Sequence, residues 1–478
     1  MPPSSRPCFD EMVDEQGRVR PAYQAYREWF DRQDGKWLHR QGQEAEQFFR
    51  RTGITFNVYG EDAGQERLIP FDMIPRIVTG EEWRRLSAGI EQRVRALNAF
   101  LHDLYHKREI VRAGRLPERL LRDNAAYLPE MAGFTPPGGI YTHIVGVDLV
   151  RTGPDEFMVL EDNARTPSGV SYMLENRETM IAMFPELFAR VRVQPVSDYP
   201  RSLARSLAAC APPACVDRER PVVAVLTPGI YNSAYFEHAF LADQMGAELV
   251  EGSDLRVVDG RIAMRTTRGW RAIDVLYRRV DDDFLDPLTF NPESVLGVAG
   301  IMDIYRAGGI TIANAPGTGI ADDKAIYSFM PEIVEFYTGE KPLLANVPTW
   351  RCSEPDSLAY VLDNLAELVV KEVHGSGGYG MLIGPTASRV ERARFARKLK
   401  AQPENYIAQP TLALSTVPIF ARAGLTPRHV DLRPFVLVSP EGIKITPGGL
   451  TRVALKKGSL VVNSSQGGGT KDSWVLAE

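Results

Sequence analysis

Residues 368–384 read LVVKEVHGSGGYGMLIG, a glycine-rich loop between two apolar runs. Three of the glycines match the G-x-G-x-x-G pattern of dinucleotide-binding loops. Such a loop leads from a strand into a helix whose N-terminus holds the pyrophosphate. Here an apolar run at 368–373 precedes the glycines, and a second apolar run at 381–383 follows them. The segment therefore predicts a strand, a loop and a second strand, which argues against a dinucleotide-binding site.

A glycine-rich hairpin of this kind has two interpretations that the segment alone leaves open. The loop can cover the phosphates of a nucleotide, because glycines let backbone N–H groups approach phosphate oxygens and Lys371 adds a positive charge. It can equally be a flexible surface hairpin with an exposed lysine. The chain has neither a G-x-x-x-x-G-K-[ST] motif nor the signature motifs of protein kinases. A nucleotide site would therefore need a different fold.

A second hairpin carries acidic side chains. Residues 141–151 and 156–163 flank a Gly-Pro-Asp turn at 153–155, which predicts two antiparallel strands. Side chains alternate between the two faces of a strand. Glu161 and Asn163 are therefore expected on one face, with the aspartate between them on the other.

The same hairpin predicts a cation site. A turn centred between residues 154 and 155 places Asp148 directly opposite Glu161, so that these two carboxylates and Asn163 can converge. Two directly opposed carboxylates repel each other unless a cation lies between them. Mg²⁺ is usually held by one or two carboxylates, water and substrate phosphates. The alternative is an exposed sheet edge of charged side chains.

The composition excludes several classes of protein. The chain has 478 residues, of which 44% are hydrophobic and 24% charged, as in soluble globular proteins. A net charge of −5 provides no positive excess to bind nucleic acid or an anionic membrane. No apolar run approaches the roughly 18 residues of a membrane span, and the four cysteines show no Cys-x-x-Cys spacing. We expect a cytoplasmic protein with reduced thiols.

The length suggests about three units at roughly 150 residues per domain. Thr79 and Glu82 form a capping box, and apolar residues then recur at helical spacing to His106, which predicts a long amphipathic helix. After a proline-rich stretch at 211–213, strand and helix patterns alternate over 222–313, as in an open α/β sheet. We predict units at residues 1–215, 216–318 and 319–478.

Further elements are predicted in the last unit. Apolar spacing indicates a helix over Asp323–Tyr337, restarted at Pro331, and a second helix capped by Asp356 that runs to about Leu368. The strands expected in this unit are Leu368–Val373, Tyr406–Gln409, Val430–Val438 and Leu460–Asn463.

Several separated motifs together resemble an ATP-grasp enzyme. They are Asp323-Lys324 at a helix start, Lys371 before the glycine loop, Tyr406–Leu412 as an adenine-binding hinge, Asp431-Leu-Arg433, and Glu161-Asp-Asn163. In that superfamily the acidic-x-Asn metal motif follows the lysines, whereas here it precedes them. The chain therefore resembles the circularly permuted ATP-grasp family related to glutathionylspermidine synthase. Residues 67–76 and 463–474 also look like signatures of that family.

The resemblance implies a fold and an activity. The fold is α/β (α+β), a circularly permuted ATP-grasp fold in which residues 216–318 form an inserted Rossmann-like unit. The activity is an ATP- and Mg²⁺-dependent carboxylate–amine ligase that acts through an acyl phosphate, on small-molecule or peptide substrates. Phosphoryl transfer depends mainly on positioning and charge neutralisation, which suits a site of lysines, arginine and metal.

The resemblance also implies a role for each matching residue. The phosphates would be held by Lys324 and Lys371, and the triphosphate would be covered by Gly375, Ser376, Gly377, Gly378 and Gly380. The backbone of Gln409 and Leu412 would bind adenine, and magnesium would be bound by Asp148, Glu161 and Asn163. Arg433 would stabilise the transferring γ-phosphoryl group, and Arg165 would bind the acceptor carboxylate or acyl phosphate.

One position departs from the family pattern. Gly146 stands where glutathionylspermidine synthases carry an arginine, two residues before the first metal-binding aspartate, so the acid and the amine stay open. Two other function classes fit the same motifs: an ATP-dependent phosphotransferase with a stable product, and a non-catalytic nucleotide-binding scaffold. The sequence also leaves the oligomeric state open, including a homo-oligomer.

Overall fold

The computed structural model describes residues 8–477 except for 54, 58–65, 375–379, 422–423 and 463–466. Within the described residues the α-helices are α1 Gln24–Phe30, α2 Gly35–Thr52, α3 Gly80–Tyr105, α4 Glu109–Arg112, α5 Arg119–Arg122, α6 Val170–Met183, α7 Pro185–Arg190, α8 Tyr199–Ala208, α9 Tyr235–Met245, α10 Asp282–Leu285, α11 Ile301–Arg306, α12 Lys324–Tyr327, α13 Met330–Thr338, α14 Pro355–Asp363 and α15 Arg389–Ala401.

The strands of the same residues are β1 Thr55–Asn57, β2 Glu66–Leu68, β3 Phe71–Val78, β4 Ile144–Arg151, β5 Phe157–Asn163, β6 Val223–Leu226, β7 Glu248–Val250, β8 Leu255–Val258, β9 Arg261–Thr266, β10 Gly269–Ala272, β11 Val275–Arg278, β12 Thr311–Ala313, β13 Ala345–Asn346, β14 Trp350–Arg351, β15 Leu368–Glu372, β16 Leu382–Ile383, β17 Tyr406–Pro410, β18 Thr416–Ala421, β19 Gly424–Arg433, β20 Phe435–Ser439, β21 Gly442–Ile445, β22 Leu450–Val453 and β23 Gly469–Val475.

A ten-stranded sheet joins strands from both ends of the chain. Its main order is β13-β5-β4-β19-β22-β23-β3, while β18 pairs with β19, and β20 pairs with β4 and β21. The hairpin β4–β5 thus lies directly beside β19, which follows it by more than half the chain. The predicted metal hairpin and the predicted phosphate arginine are therefore on neighbouring strands.

Helix α3 covers one face of this sheet. It begins with the predicted capping box, in which Thr79 and Glu82 each bond the other's backbone, and it ends one residue before His106. Its apolar side packs on alternate residues of β4, among them Val147 and Leu149. Because neighbouring side chains of a strand point to opposite faces, Asp148 is directed to the other face of the sheet.

Residues 223–313 contain a four-stranded parallel sheet in the order β12-β11-β6-β7. The sequence predicts strands at 222–226, 247–250, 273–277 and 310–313 and a helix at 233–245, and the structure confirms all five to within two residues. Continuous apolar runs mark buried parallel strands well. A three-stranded meander, β10-β9-β8, was not expected. The limits of the unit, 216 and 318, stay a prediction.

The glycine-rich segment lies in a smaller sheet with the order β14-β17-β15-β16. Strands β15 and β16 are antiparallel, which confirms the predicted strand, loop and strand. Strand β17, the expected adenine hinge, lies on the other side of β15, and Lys371 is paired with Ile407.

Some predicted boundaries are wrong. Helix α14 has Glu354 at its N-cap position and ends at Asp363, so Asp356 lies inside its first turn rather than at the cap. The strand expected over 430–438 is two strands, because Pro434 interrupts it and cannot donate a backbone hydrogen bond. Residues 460–462 form no strand, and Asn463 lies outside the described residues.

Candidate active site

A cleft of about 480 Å³ lies between the ten-stranded sheet, the α/β segment and the glycine hairpin. Its volume lies within the range of small-molecule sites. Five of the residues predicted from sequence line it: Glu161, Asn163, Arg165, Lys324 and Arg433. These residues come from separate strands, loops and helices, so the tertiary fold brings them together.

The acidic hairpin has the predicted register at the site. Asp148 is paired with Glu161, as expected. Nearer the turn, Leu149 is paired with Val159, so Leu160 is an extra residue that forms a β-bulge. The turn is therefore centred on residue 154 rather than half a residue later, and the bulge restores the predicted pairing.

The two faces of β5 have different partners. Asp162 is buried against α3, where Arg93 Nε and Nη2 each donate to it at 2.6 Å. Glu161 and Asn163 lie on the cleft side, as the alternation predicted. The Asn163 amide nitrogen donates to Gly146 O and Asp148 Oδ1, both at 3.4 Å. Its carbonyl oxygen is therefore the end left for another ligand.

Asp148 is fully buried between two arginines. Arg433 Nε donates to Oδ1 at 2.5 Å and Arg433 Nη2 to Oδ2 at 2.8 Å, while Arg452 Nη2 donates to Oδ2 at 2.6 Å. Burial alone would raise the pKa of Asp148, but the two guanidinium groups hold it well below its ordinary value. Its role as a magnesium ligand stays a prediction, which would require one arginine to release it.

The two predicted phosphate lysines belong to one electrostatic cluster. Lys324 begins α12 behind Asp323, whose carboxylate caps the helix. The pKa of Lys371 is lowered to about 8, chiefly by burial and also by the positive charge of Lys324, while Glu161 and Asp148 oppose the shift. Burial disfavours the charged form of a lysine, whereas a multiply charged anion beside the lysine favours it.

The other residues predicted to bind the nucleotide are Gln409, Leu412 and the residues of the glycine loop. Gln409 is buried and donates to Thr349 Oγ1 at 3.1 Å, and Leu412 packs beside Val150, Val347 and Leu414. Gly380 has a φ of 71°, and a Cβ there would lie 2.7 Å from the carboxyl carbon of Glu372. Gly375, Ser376, Gly377 and Gly378 lie outside the described residues.

Arg165 lies among carboxylates of the cleft. Its Nη1 is 3.4 Å from Asp281 Oδ1, and its Nε is 3.6 Å from Asp322 Oδ2. Burial raises the pKa of Asp322 to about 7, although Arg165 and the backbone N–H groups of Ala164 and Arg165 oppose the shift. The predicted role of Arg165 in binding a carboxylate would therefore require exchange with an existing acidic partner.

The loop at 165–169 and the first turn of α6 are held by the α/β segment. Arg279 donates to Pro167 O at 2.8 Å and to Ser168 Oγ at 2.5 Å. Glu237 on α9 accepts from Gly169 N at 2.7 Å and from Ser171 N at 3.1 Å. The α/β segment thus builds one wall of the cleft.

Sequence reasoning missed several charged or titratable residues of the cleft, among them Arg452 and His374. Arg452 lies on β22 directly opposite Asp431 of β19. His374 follows β15, and its Nδ1 lies 3.0 Å from Asp323 Oδ2, a hydrogen bond that raises the pKa of the imidazole. His374 directly precedes the glycine loop and could have been found there. No local signal marks Arg452.

The fold and the motifs that meet in the cleft are those of an ATP-grasp protein. Residues 75–454 match the family described as circularly permuted ATP-grasp type 2. This chain belongs to that family, which confirms the resemblance read from its motif order.

Similar proteins match nearly the whole chain. An uncharacterized protein of Synechocystis sp. is 52% identical over 98% of this chain and 97% of its own length. A Frankia alni protein named provisionally as a glutamate–cysteine ligase is 44% identical over 98% of this chain, which spans 54% of that relative. A glutathione synthetase-like effector of Globodera pallida has the same fold, with a TM-score of 0.60, 11% identity, and 93% and 98% coverage of the two chains.

No helix among the described residues is long and apolar enough to cross a membrane.

Proposed function

We propose that this protein is an ATP- and Mg²⁺-dependent ligase that joins a carboxylic acid to an amine through an acyl phosphate. The observation that carries the proposal is the meeting of Glu161, Asn163, Lys324 and Arg433 in one cleft beside the glycine hairpin. The ligase name of the Frankia alni relative is consistent with this reaction class.

The donor set of the cleft fits magnesium shared with a nucleotide. No three His, Cys, Asp or Glu side chains of the described chain gather closely enough to hold a metal by themselves. Glu161 and the carbonyl oxygen of Asn163 would hold it together with phosphate oxygens and water, the mixed set that Mg²⁺ prefers. Bound there, the ion would neutralise negative charge on the phosphates.

The chain's own residues would serve the first step by orientation and charge. An oxygen of the substrate carboxylate attacks the γ-phosphorus, the bond to the β-phosphate oxygen breaks, and ADP leaves. Lys324 and Lys371 would hold the phosphates in place, and Arg433 would balance charge on the transferring group. In the second step the amine attacks the acyl carbon, loses a proton, and releases inorganic phosphate.

An isotope experiment tests this mechanism. The protein is incubated with ATP, Mg²⁺, a pool of ¹⁸O-labelled carboxylic acids and a pool of amines. We expect ADP release that requires both pools, with one ¹⁸O atom from the acid in each inorganic phosphate. The Glu161→Gln variant serves as a control and should bind nucleotide but release little ADP.

The other function classes give different results in the same assay. A stable phosphorylated product formed without an amine would identify a phosphotransferase. Nucleotide binding with no ADP release under any pool would identify a scaffold. Release of AMP would contradict an acyl phosphate.

A further inference from the structure

A row of four charged side chains crosses the cleft face of the large sheet on three adjacent strands. Asp148 lies on β4, Asp431 and Arg433 lie two residues apart on β19, and Arg452 lies on β22. Ion pairs join them in the order Arg433, Asp148, Arg452, Asp431. Two positive and two negative side chains therefore lie together, and all but Arg433 are buried.

Arg452 is the link between the two carboxylates. Its Nε donates to Asp431 Oδ1 at 2.9 Å, and its Nη2 donates to Asp148 Oδ2 at 2.6 Å. Arg433 Nη2 donates to that same Asp148 oxygen at 2.8 Å. The Arg452 guanidinium therefore holds Asp148 Oδ2 in place, and this oxygen in turn helps to orient the Arg433 guanidinium.

Arg433 is also held by steric contact and by a backbone carbonyl. A Cβ at Gly146 would lie 3.2 Å from Arg433 Cδ, so the glycine leaves room for the arginine stem to cross β4. Arg433 Nη1 donates to Ser168 O at 3.0 Å. Arg433 is thus held from two other sides, and Asp148 sets the plane of its guanidinium group.

We propose that Arg452 is a positioning residue that holds Asp148 in the orientation required for Arg433 to contact the γ-phosphoryl group of ATP. This inference rests on the proposed function. A planar guanidinium that bonds two carboxylates at once fixes their relative geometry, which a lysine ammonium cannot reproduce. Preorganised charge at the transferring group is the main requirement of phosphoryl transfer.

The test compares affinities for two nucleotides and needs no knowledge of the acid or the amine. Calorimetry with Mg²⁺ measures binding of ADP and of the β,γ-imido analogue of ATP, whose affinity ratio reports the γ-phosphoryl contact. The variant Arg452→Met with Asp431→Asn removes one buried charge of each sign. We expect ADP affinity to be retained and the ratio to fall about tenfold, the size of one charge-assisted contact.

Three further variants make the result specific. Arg433→Met should lower the ratio to the same extent, because it removes the contact itself. Arg452→Lys should also lower it, since a point charge does not hold both carboxylates. Arg177→Met with Asp472→Asn removes another buried ion pair from the same region of the fold and should leave the ratio unchanged.

The outcomes separate the two proposals. A wild-type protein that binds neither nucleotide overturns the proposed function and this inference with it. A wild-type protein that prefers the triphosphate, with a double variant that keeps this preference, overturns the role of Arg452 alone. If the Arg452→Lys variant keeps the preference for the triphosphate, Arg452 is only a buried positive charge, and its positioning role is likewise overturned.

Discussion

At the residue scale, the charge of Lys371 should control nucleotide binding. Its pKa of about 8 means that the free protein loses this positive charge as the pH rises through 8. Phosphate beside the ammonium favours the protonated form, so binding should take up a proton near pH 8 and weaken above it.

Calorimetry at pH 7 and pH 9 measures this effect on ATP affinity. Lys371→Met should weaken binding at both values. Lys371→Arg keeps its charge throughout and should largely remove the pH dependence. An affinity of the wild-type protein that is the same at both values would contradict the assignment.

His143 should make the folded protein sensitive to acid. It is buried, and both ring nitrogens lack a hydrogen-bond partner among the described residues. Burial lowers its pKa to about 4 from an ordinary value of 6.5, so the unfolded chain binds a proton more readily between these values. Stability is therefore present above pH 6.5 and falls as the pH drops toward 4.

The variant His143→Leu isolates this contribution. Between pH 7 and pH 5 the wild-type protein should lose about 2 kcal/mol more unfolding free energy than the variant loses. Urea unfolding at the two pH values measures the difference. Equal losses in both proteins would show that the pKa of His143 is the same in the folded and the unfolded chain, which contradicts the prediction.

At the element scale, the capping box of α3 should contribute to stability without affecting the site. Thr79→Ala removes the side chain that accepts from Glu82 N, and this should lower the unfolding free energy by about 1 kcal/mol. Nucleotide affinity should not change, because α3 packs on the face of β4 opposite the cleft. A loss of affinity at unchanged stability would contradict this division of the two faces.

The elements also show where local patterns succeed and where they fail. Alternation in β5 correctly separated Glu161 and Asn163 from Asp162, because a strand has only two faces. The turn centre was misplaced by half a residue, and only the bulge at Leu160 preserved the pairing of Asp148 with Glu161. Bulges depend on contacts with neighbouring strands, so counting from a turn does not predict them.

At the scale of the whole molecule, the α/β segment should be needed to hold the loop at 165–169 that lines the cleft. Glu237 on α9 accepts from the backbone of the loop, and its Oε1 lies 3.4 Å from Arg279 Nη2, with both side chains buried. Glu237→Gln leaves the arginine without its counter-charge and should cost about 3 kcal/mol of stability, measured by urea unfolding.

A second variant in the same segment serves as a control for this prediction. Asp274→Asn weakens the more exposed ion pair with Arg261, away from the loop, and should cost about 1 kcal/mol or less. An equal cost for the two variants would contradict a special role for Glu237 in holding the loop.

The sequence by itself determined the local elements and the order of the motifs. Capping residues, apolar spacing, strand alternation and the strand after the glycine loop are set by neighbours along the chain. The order of the acidic hairpin and the lysines indicated the permuted family, which the match over residues 75–454 confirmed. These features need no knowledge of which strands lie side by side.

Only the tertiary structure decided how the charges of the site are paired. Asp148 reads in sequence as one of two opposed carboxylates, but β19 and β22 bring Arg433 and Arg452 to it from far along the chain. The energy of a buried charge depends on all groups within a few ångströms, whatever their separation in sequence. Strand order, which no local pattern encodes, therefore decides which carboxylates of this cleft remain available to a cation.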